Sequence, residues 1–279
     1  MSHTDLHYVC FTPNLAYLPY LERCVKGLLS RVGRPDRIQL VFLMHQEVTK
    51  KHGEPLLEIV ESFGAPAPIV KYPELELNLD FRTEDGNNVL TTRSQAPFYR
   101  LFLPTLLLEA DQCLYLDIDI AILDDLTPLM ETDLGDCYIG GVTDRLCLDP
   151  AYDKHTTAVG IKPAHYINGG VMLMNLKALR RDRILEVMEV MGRIKAFPYM
   201  DQDIINYVCM GNVKLIKKKY NVYPGDCEEE LEIIRKKAPE CAFLFDSDAV
   251  IHPSIVHYVG PRKPWENSEV EYADLYNLM

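Results

Sequence analysis

The sequence predicts an α/β protein in which a mixed, mostly parallel central sheet is flanked by helices. The chain has 279 residues, enough to bury a large hydrophobic core. Short apolar runs alternate with longer segments of helical period through its first half, which is typical of parallel strands joined by crossover helices. A near-continuous apolar run at residues 113–123 indicates a central strand covered on both faces. We expect one domain over residues 1–279.

The first half of the chain alternates between predicted strands and crossover helices. The strands are expected at residues 8–11, 38–44, 69–72, 113–118 and 137–142. The helices, at residues 17–30 and 48–63, each carry their apolar side chains near one face. Residues 75–93 are polar and contain a turn signal, so we interpret them as a long loop suited to covering a site. Helical character resumes at 97–108.

The sequence of the second half of the chain predicts further strands and helices, together with one charged segment at 226–240. We expect strands at 169–176, 213–216 and 255–259, helices at 177–195 and 203–210, and a charged surface insertion at 226–240.

Charge and cysteine usage limit the partners and the compartment. A formal net charge of −12 disfavours a nucleic-acid backbone or an anionic membrane as the main partner, so an anionic substrate would need a locally supplied cation. The eight cysteines form no CxxC pair, and several lie inside apolar runs, as reduced core thiols do. The start of the chain is polar and no apolar run reaches the length of a spanning helix. We expect a cytoplasmic protein with at most peripheral membrane contact.

Two carboxylates interrupt the apolar run at 113–123. Asp117 and Asp119 are two residues apart, so on a strand their side chains share a face, while Ile118 points the other way. Two ionised carboxylates at close range are costly unless a cation neutralises them or one of them binds a proton, and a divalent metal is the simpler solution. Alternatively these aspartates are cap or turn residues, an interpretation that suits Asp124 and Asp125 better than Asp117.

Tyr115-Leu-Asp-Ile-Asp119 resembles the DxD strand of the retaining glycosyltransferases of family 8, the group of glycogenin and the bacterial lipooligosaccharide galactosyltransferases. Further blocks match in the same order, at S-Q-A-P-F-Y-R-L (94–101), N-G-G-V-M-L-M-N-L (168–176), D-Q-D-I-I-N (201–206) and H-Y-V-G-P-R-K-P-W (257–265). The last block is the most specific, and it selects His257 rather than His252.

The resemblance implies a GT-A fold, with residues 1–142 as a nucleotide-binding half and residues 143–279 as a donor-sugar and acceptor half. It also implies transfer of a hexose, glucose or galactose, from a UDP-sugar to a carbohydrate, glycolipid or protein-glycan acceptor. Asp117, Asp119 and His257 would hold Mn²⁺ or Mg²⁺, and this mixed oxygen and nitrogen donor set suits Mn²⁺ better than Ca²⁺.

The resemblance assigns the donor sites to several segments, and each assignment has a structural alternative. Lys263 and Gly260 would approach the diphosphate, or else form a plain turn beside two prolines. Arg100 would lie near the donor sugar, or else be a solvated helix charge or an ion pair that contributes little to stability. Asn168, Gly169 and Gly170 would lie beside the hexose, in a segment that is also a turn signal.

The catalytic assignments are Asp201 and Gln202. Asp201 would contact sugar hydroxyls and Gln202 would lie near the reacting face of the anomeric carbon, although Asp201 could alternatively cap a helix. A carboxamide is a poor nucleophile, so we favour same-face attack over double displacement.

One segment departs from the family pattern. The stretch F-T-P-N-L-A-Y (11–17) stands where the family usually has a D-D-N-Y sequence that binds uridine. Thr12 and Asn14 are the expected donor contacts, but Ala16 lacks the expected polar group. Two other functions therefore compete with transfer: a UDP-sugar-binding protein without transfer activity, and a sugar-nucleotide nucleotidyltransferase. The second would normally have a Gly-rich basic loop, which residues 12–16 lack. Acceptor contacts are expected from residues 75–93, 143–163 and 226–240.

Overall fold

A seven-stranded mixed sheet lies at the centre of the computed structural model, which describes residues 6–45, 47–73, 96–145, 156–157, 160–194, 197, 199–237 and 239–277. The strands are β1 (His7–Phe11), β2 (Ile38–Leu43), β3 (Ile69–Lys71), β4 (Cys113–Leu116), β5 (Ile120–Ile122), β6 (Ile139–Thr143), β7 (Ile167–Met174), β8 (Val213–Leu215) and β9 (Ile255–His257). The central sheet has the order β3-β2-β1-β4-β7-β6-β8, and β5 pairs with β9 in a second, two-stranded sheet. Only β7 runs antiparallel to its neighbours in the large sheet, which confirms the predicted mixed, mostly parallel arrangement.

Helices connect these strands. They are α1 (Leu18–Leu29), α2 (Lys50–Ser62), α3 (Leu103–Leu106), α4 (Thr127–Met130), α5 (Leu176–Arg181), α6 (Ile184–Ile194), α7 (Met200–Val208), α8 (Glu228–Lys237), α9 (Asp248–Ile251) and α10 (Ala273–Asn277). Short 3-10 helices lie at Pro35–Arg37, Ala96–Phe102, Pro163–His165, Lys218–Tyr220 and Pro239–Leu244. In the described residues, no helix is long and apolar enough to span a membrane.

The inner strands of the large sheet are buried on both faces, as their apolar sequences predict. Along β1, Val9 and Phe11 pack into a core that includes the apolar face of α1. Tyr8 and Cys10 point to the other face and pack with residues of β7 and α7. Because successive side chains of a strand alternate between faces, a strand covered on both sides needs apolar residues at every position.

The sequence suggested one strand in the apolar run at 113–123, but the structure has two, β4 and β5. β4 ends at Leu116, and the Asp117 N–H donates to the Gly170 carbonyl at 2.7 Å before the chain leaves the large sheet. β5 then pairs with β9, with Ile120 opposite His257. The break between the two strands therefore places the acidic pair beside His257.

Three other expectations also need correction. The predicted helix at 177–195 is two helices, because Arg183 adopts a φ of 53° between α5 and α6. The segment at 97–108 is mostly 3-10 helix, and it contains prolines that cannot donate to a regular α-helix. The segment at 226–240 contains α8, whose Leu231 and Ile234 pack into a small core of their own.

Some expectations concern residues outside the described ones. The predicted loop at 75–93 lies there, as does most of 146–159. The predicted division at 142/143 falls inside β6, and strands from both halves form the seven-stranded sheet. The seven cysteines that the structure describes are free thiols.

Candidate active site

Asp117, Asp119 and His257 converge at the point where the large and small sheets meet. His257 Nε2 lies 3.3 Å from Asp119 Oδ1 and 3.8 Å from Asp117 Oδ2. Backbone bonds fix this arrangement, because the Tyr258 N–H donates to the Asp119 carbonyl and the His257 N–H donates to the Val222 carbonyl, both at 2.8 Å. The three ligand atoms lie within 4.8 Å of one another, so this cluster could hold a metal ion.

A hydrogen-bonded chain orients the imidazole. Asn221 Nδ2 donates to Asn168 Oδ1 at 3.0 Å, which turns Asn221 Oδ1 toward His257 Nδ1, also at 3.0 Å. An amide oxygen only accepts, so Nδ1 carries a proton, and Nε2 is the ring nitrogen that faces the carboxylates and would bind a metal ion once it holds no proton of its own. This tautomer is the one a metal-binding histidine needs. No motif or periodic pattern singled out Asn221, which lies in an irregular segment.

Gly170 makes room for the cluster. A Cβ atom at this position would lie 2.2 Å from His257 Cε1 and 2.7 Å from Asp117 Oδ2, closer than real Cβ contacts permit. Asn168, Gly169 and Gly170 lie inside β7 rather than in the turn considered from sequence. A larger residue at 170 would therefore displace two of the three candidate ligands.

Arg100 is buried between two carboxylates. Its guanidinium lies 3.1 Å from Asp117 Oδ1 and 3.0 Å from Asp201 Oδ2, and it stacks over the Tyr115 ring with 4.3 Å to the centroid. It also donates to the carbonyl of Gly169. Arg100 is therefore not a solvated helix charge, whereas the ion pair considered as the other alternative is present.

Asp201 does not cap a helix. It lies within the first turn of α7, whose N-cap residue is Tyr199, and Asp203 Oδ2 accepts from the Tyr199 N–H at 2.8 Å. Burial raises the pKa of Asp201 to about 6, and although Arg100 opposes this shift, Asp117 adds to it. Asp201 is thus a buried acid whose pKa lies above that of an exposed carboxylate.

Lys263 is buried against the acidic pair. Its Nζ donates to Asp119 Oδ2 at 2.5 Å and to the Tyr258 carbonyl at 2.7 Å. Burial alone would raise the pKa of Asp119, but His257 and then Lys263 outweigh it and hold that pKa well below its usual range. The preceding turn contains Gly260, whose φ of 90° favours glycine. By contrast, Asp124 and Asp125 accept backbone N–H groups of their own turn, as the cap interpretation predicted for them.

Gln202 is held by a network that the sequence did not reveal. Its Oε1 accepts from the Gly169 N–H at 2.8 Å, and its Nε2 donates to Asp144 Oδ2 at 3.0 Å and to the Tyr166 hydroxyl at 3.3 Å. Asp144 Oδ2 also accepts from Asn168 Nδ2 at 3.0 Å. The signal for Asp144 was present in the sequence, since this carboxylate lies two residues after the end of the predicted strand at 137–142.

Two adjoining cavities contain these residues. The larger, of about 940 Å³, is lined by most of the predicted site residues, namely Arg100, Asp117, Asp119, Asn168, Gly169, Gly170, Asp201, Gln202, His257 and Gly260. The smaller, of about 310 Å³, is lined by Thr12, Asn14, Tyr17 and Phe98 among others, and it shares Arg100, Asp117 and Asp119 with the larger. The acidic pair therefore lies where the two cavities join.

Thr12 is coupled to the acidic pair through Tyr115. The Tyr115 hydroxyl donates to Asp117 Oδ1 at 2.8 Å and lies 2.9 Å from Thr12 Oγ1, which must then be the donor to Tyr115. Asn14 Oδ1 accepts from the Tyr17 N–H at 3.0 Å. Ala16 is exposed, whereas Tyr17 lines the smaller cavity.

Comparison with known proteins identifies relatives over most of the chain. The sequence profile of Glycosyl transferase family 8 matches residues 8–269. General stress protein A of Bacillus subtilis is 22% identical, with 99% of this chain and 93% of that protein aligned. A lipopolysaccharide 1,2-glucosyltransferase of Escherichia coli is 29% identical over 180 residues, which cover 60% of this chain and 50% of that protein.

The fold is also found among solved structures. A crystal structure of the galactosyltransferase LgtC in complex with donor and acceptor sugar analogues has a TM-score of 0.79 and 24% sequence identity, covering 98% of this chain and 94% of that one. This likeness confirms the predicted GT-A arrangement of a mixed sheet flanked by helices. Because the family profile matches residues 8–269, the chain is a member of glycosyltransferase family 8.

Proposed function

We propose that this protein is a retaining, metal-dependent hexosyltransferase that moves glucose or galactose from a UDP-sugar to a carbohydrate acceptor. The observation that carries the proposal is the convergence of Asp117, Asp119 and His257 at the junction of the two cavities. A diphosphate bound at this junction would have its nucleoside in the smaller cavity and its sugar in the larger one. Family relatives named as lipopolysaccharide glucosyl- and galactosyltransferases support a hexose as the transferred group.

The residues present fit a divalent cation. Two carboxylate oxygens and an imidazole nitrogen of the correct tautomer face one another, with no side chain at Gly170 to obstruct them. This donor set favours Mn²⁺, with Mg²⁺ as the other candidate. When bound, the ion would neutralise the charge that develops on the departing UDP.

The chain's own cations would complete this charge stabilisation. Lys263 is already held at the acidic pair through Asp119, close to where the diphosphate would bind. Gly260 would admit the phosphates close to the backbone. Thr12 and Asn14 would contact the nucleoside in the smaller cavity. In this proposal, residues 1–142 mainly bind the nucleotide, while residues 143–279 bind the donor sugar and the acceptor.

The sugar would lie against Asn168, Gly169 and Asp201, with Arg100 orienting Asp201. Gln202 would face the anomeric carbon. Its amide makes hydrogen bonds through both of its polar atoms, to Gly169 and to Asp144. We therefore assign it a stabilising rather than a nucleophilic role, which favours same-face attack. The acceptor would be a carbohydrate, free or carried on lipid or protein.

A turnover assay tests this function. The full chain is incubated with UDP-glucose or UDP-galactose and Mn²⁺, and UDP release is measured with and without a chelator. We expect release that the chelator abolishes and that Asp119→Ala lowers at least about 100-fold, because one ligand and its charge are lost. The exposed variant Glu58→Gln is the control for folding and should keep full activity. Donor binding without UDP release would instead indicate a binding protein.

A further inference from the structure

A second cluster of potential metal ligands lies apart from the acidic pair. It consists of His165, Glu240 and Cys241, whose ligand atoms lie within 4.8 Å of one another. His165 ends the 3-10 helix Pro163–His165, and the other two residues belong to the 3-10 helix Pro239–Leu244. The three ligands therefore come from two segments that are 75 residues apart in sequence, which only the tertiary structure brings together.

The imidazole of His165 is directed at this cluster. Its Nε2 lies 3.5 Å from Glu240 Oε1, yet it makes no hydrogen bond to any described residue, and the atom itself is shielded from solvent. A buried ring nitrogen without a hydrogen bond is costly, and a metal ion would satisfy it. The side chain of Glu240 is 52% exposed and that of His165 is 39% exposed, so an ion can reach the cluster and both side chains can adjust.

We propose that His165, Glu240 and Cys241 form a zinc site distinct from the site between Asp117, Asp119 and His257. A thiolate, an imidazole and a carboxylate are the three ligand types that Zn²⁺ accepts, with water as the fourth ligand. Two ligands on one tetrahedral zinc ion lie roughly 3.3 to 3.8 Å apart, so closing a span of up to 4.8 Å needs only side-chain rotation. Thiolate ligation makes the site selective for Zn²⁺ over the Mg²⁺ or Mn²⁺ of an oxygen-rich site.

Binding would release one proton. Zinc takes the thiolate, and the thiol proton leaves to solvent.

The position of the cluster gives the site a structural role. The helix Pro163–His165 leads directly into β7, which carries Asn168 and Gly170 of the active site. Tyr166, the residue after His165, contacts both Gln202 and Asp203. An ion at the cluster would therefore fasten the segment before β7 to the segment that follows α8.

Cobalt spectroscopy tests the proposal independently of transferase activity. Reduced, chelator-treated full chain is titrated with Co²⁺, and the thiolate-to-cobalt charge-transfer band is recorded in the near ultraviolet. The site of Asp117, Asp119 and His257 contains no sulfur and cannot produce this band. We expect the band to saturate by two ions per chain, because the site of Asp117, Asp119 and His257 can also take up Co²⁺ without contributing to the band, and to disappear when Zn²⁺ is added.

The variants decide which thiol is responsible. Cys241→Ser should abolish the band, and His165→Gln should weaken Co²⁺ binding by about 10-fold or more. Cys227→Ser is the matched control, because Cys227 is also a half-buried free thiol, and it should keep the band. Glu240→Gln, at an exposed position, should fold normally and bind Co²⁺ more weakly. Absence of the band in the unmodified protein, or its persistence in Cys241→Ser, would overturn the proposal.

Discussion

At the scale of single residues, the candidate active site is held together by ion pairs and hydrogen bonds between its own side chains. Asp119 accepts from Lys263 and faces His257, while Asp117 faces Arg100 and accepts from Tyr115. Each carboxylate is thus opposed by buried cations, which offsets the cost of placing acids in a partly buried cleft. Small changes in size or protonation here should have measurable effects.

Gly170→Ala tests the close approach of β7 to the metal ligands. The added Cβ would lie 2.2 Å from His257 Cε1 and 2.7 Å from Asp117 Oδ2, so at least one of these two candidate ligands must shift. We expect the metal concentration for half-maximal activity to rise by at least about 10-fold, comparable to losing an orienting partner of a ligand. Gly33→Ala, where nothing lies within 4 Å of the added atom, is the control and should titrate as the unmodified protein does. Unchanged metal dependence in Gly170→Ala would show that His257 is not a ligand.

Asp201 should make stability depend on pH. Its pKa is about 6 in the folded protein and about 3.9 in an unfolded chain, so the folded state binds the extra proton between these values. The contribution is fully present below about pH 3.9 and is lost as pH rises through about 6. We expect the free energy of unfolding of the unmodified protein, relative to Asp201→Asn, to fall by roughly 2 to 3 kcal/mol between pH 4 and 7.

The measurement is denaturant unfolding of metal-free protein across this pH range. Glu58→Gln removes an exposed carboxylate elsewhere and serves as the reference substitution. If the free energy of unfolding of the unmodified protein, relative to that of Asp201→Asn, rises with pH or does not change, the result would contradict the raised pKa of Asp201.

At the scale of secondary-structure elements, the site is built where regular structure is interrupted. β4 ends before Asp117, and β5 leaves for a second sheet with β9, which brings His257 from a strand more than a hundred residues later. The predicted helix at 177–195 is similarly divided at Arg183. In each case apolar periodicity continued through the break, so the sequence pattern alone could not locate it.

Arg183 should be a point of backbone strain. A φ of 53° lies in the left-handed region, which costs a non-glycine residue about 1 kcal/mol or more. We expect Arg183→Gly to be more stable than Arg183→Ala by about 1 kcal/mol in urea unfolding. Both variants lose the exposed contact to Glu186 equally, so the comparison isolates the backbone term. Equal stability of the two variants would argue against a left-handed residue between α5 and α6.

At the scale of the whole molecule, the candidate site joins both halves of the chain. Asp117 and Arg100 come from the first half, whereas Gln202 and His257 come from the second. A donor bound across the two cavities would contact both halves and should therefore stabilise the molecule as a unit.

UDP should stabilise the protein only when metal is present. At a UDP concentration of about 100 times Kd, binding contributes about 2.7 kcal/mol, which corresponds to a rise in Tm of roughly 5 °C or more for a chain of this size. The measurement is thermal unfolding with UDP and Mn²⁺, with UDP alone, and with Mn²⁺ alone. Equal shifts with and without the metal would contradict the assigned metal ligands.

The sequence by itself determined the fold class, most of the strands and helices, and the residues of the acidic pair. Apolar periodicity is a local property that follows from which side chains must be buried, and two acids in an apolar run are visible without coordinates. The choice of His257 came from a motif rather than from spacing. Only the tertiary structure brings the predicted site residues together in space.

Only the tertiary structure decided the contacts between distant segments. It showed that Asn221 sets the tautomer of His257, that Asp144 holds Gln202, and that Gly170 is required by a close approach. It also brought His165 to Cys241. These pairs are far apart in sequence, and their interaction depends on strand order and register, which periodicity does not encode.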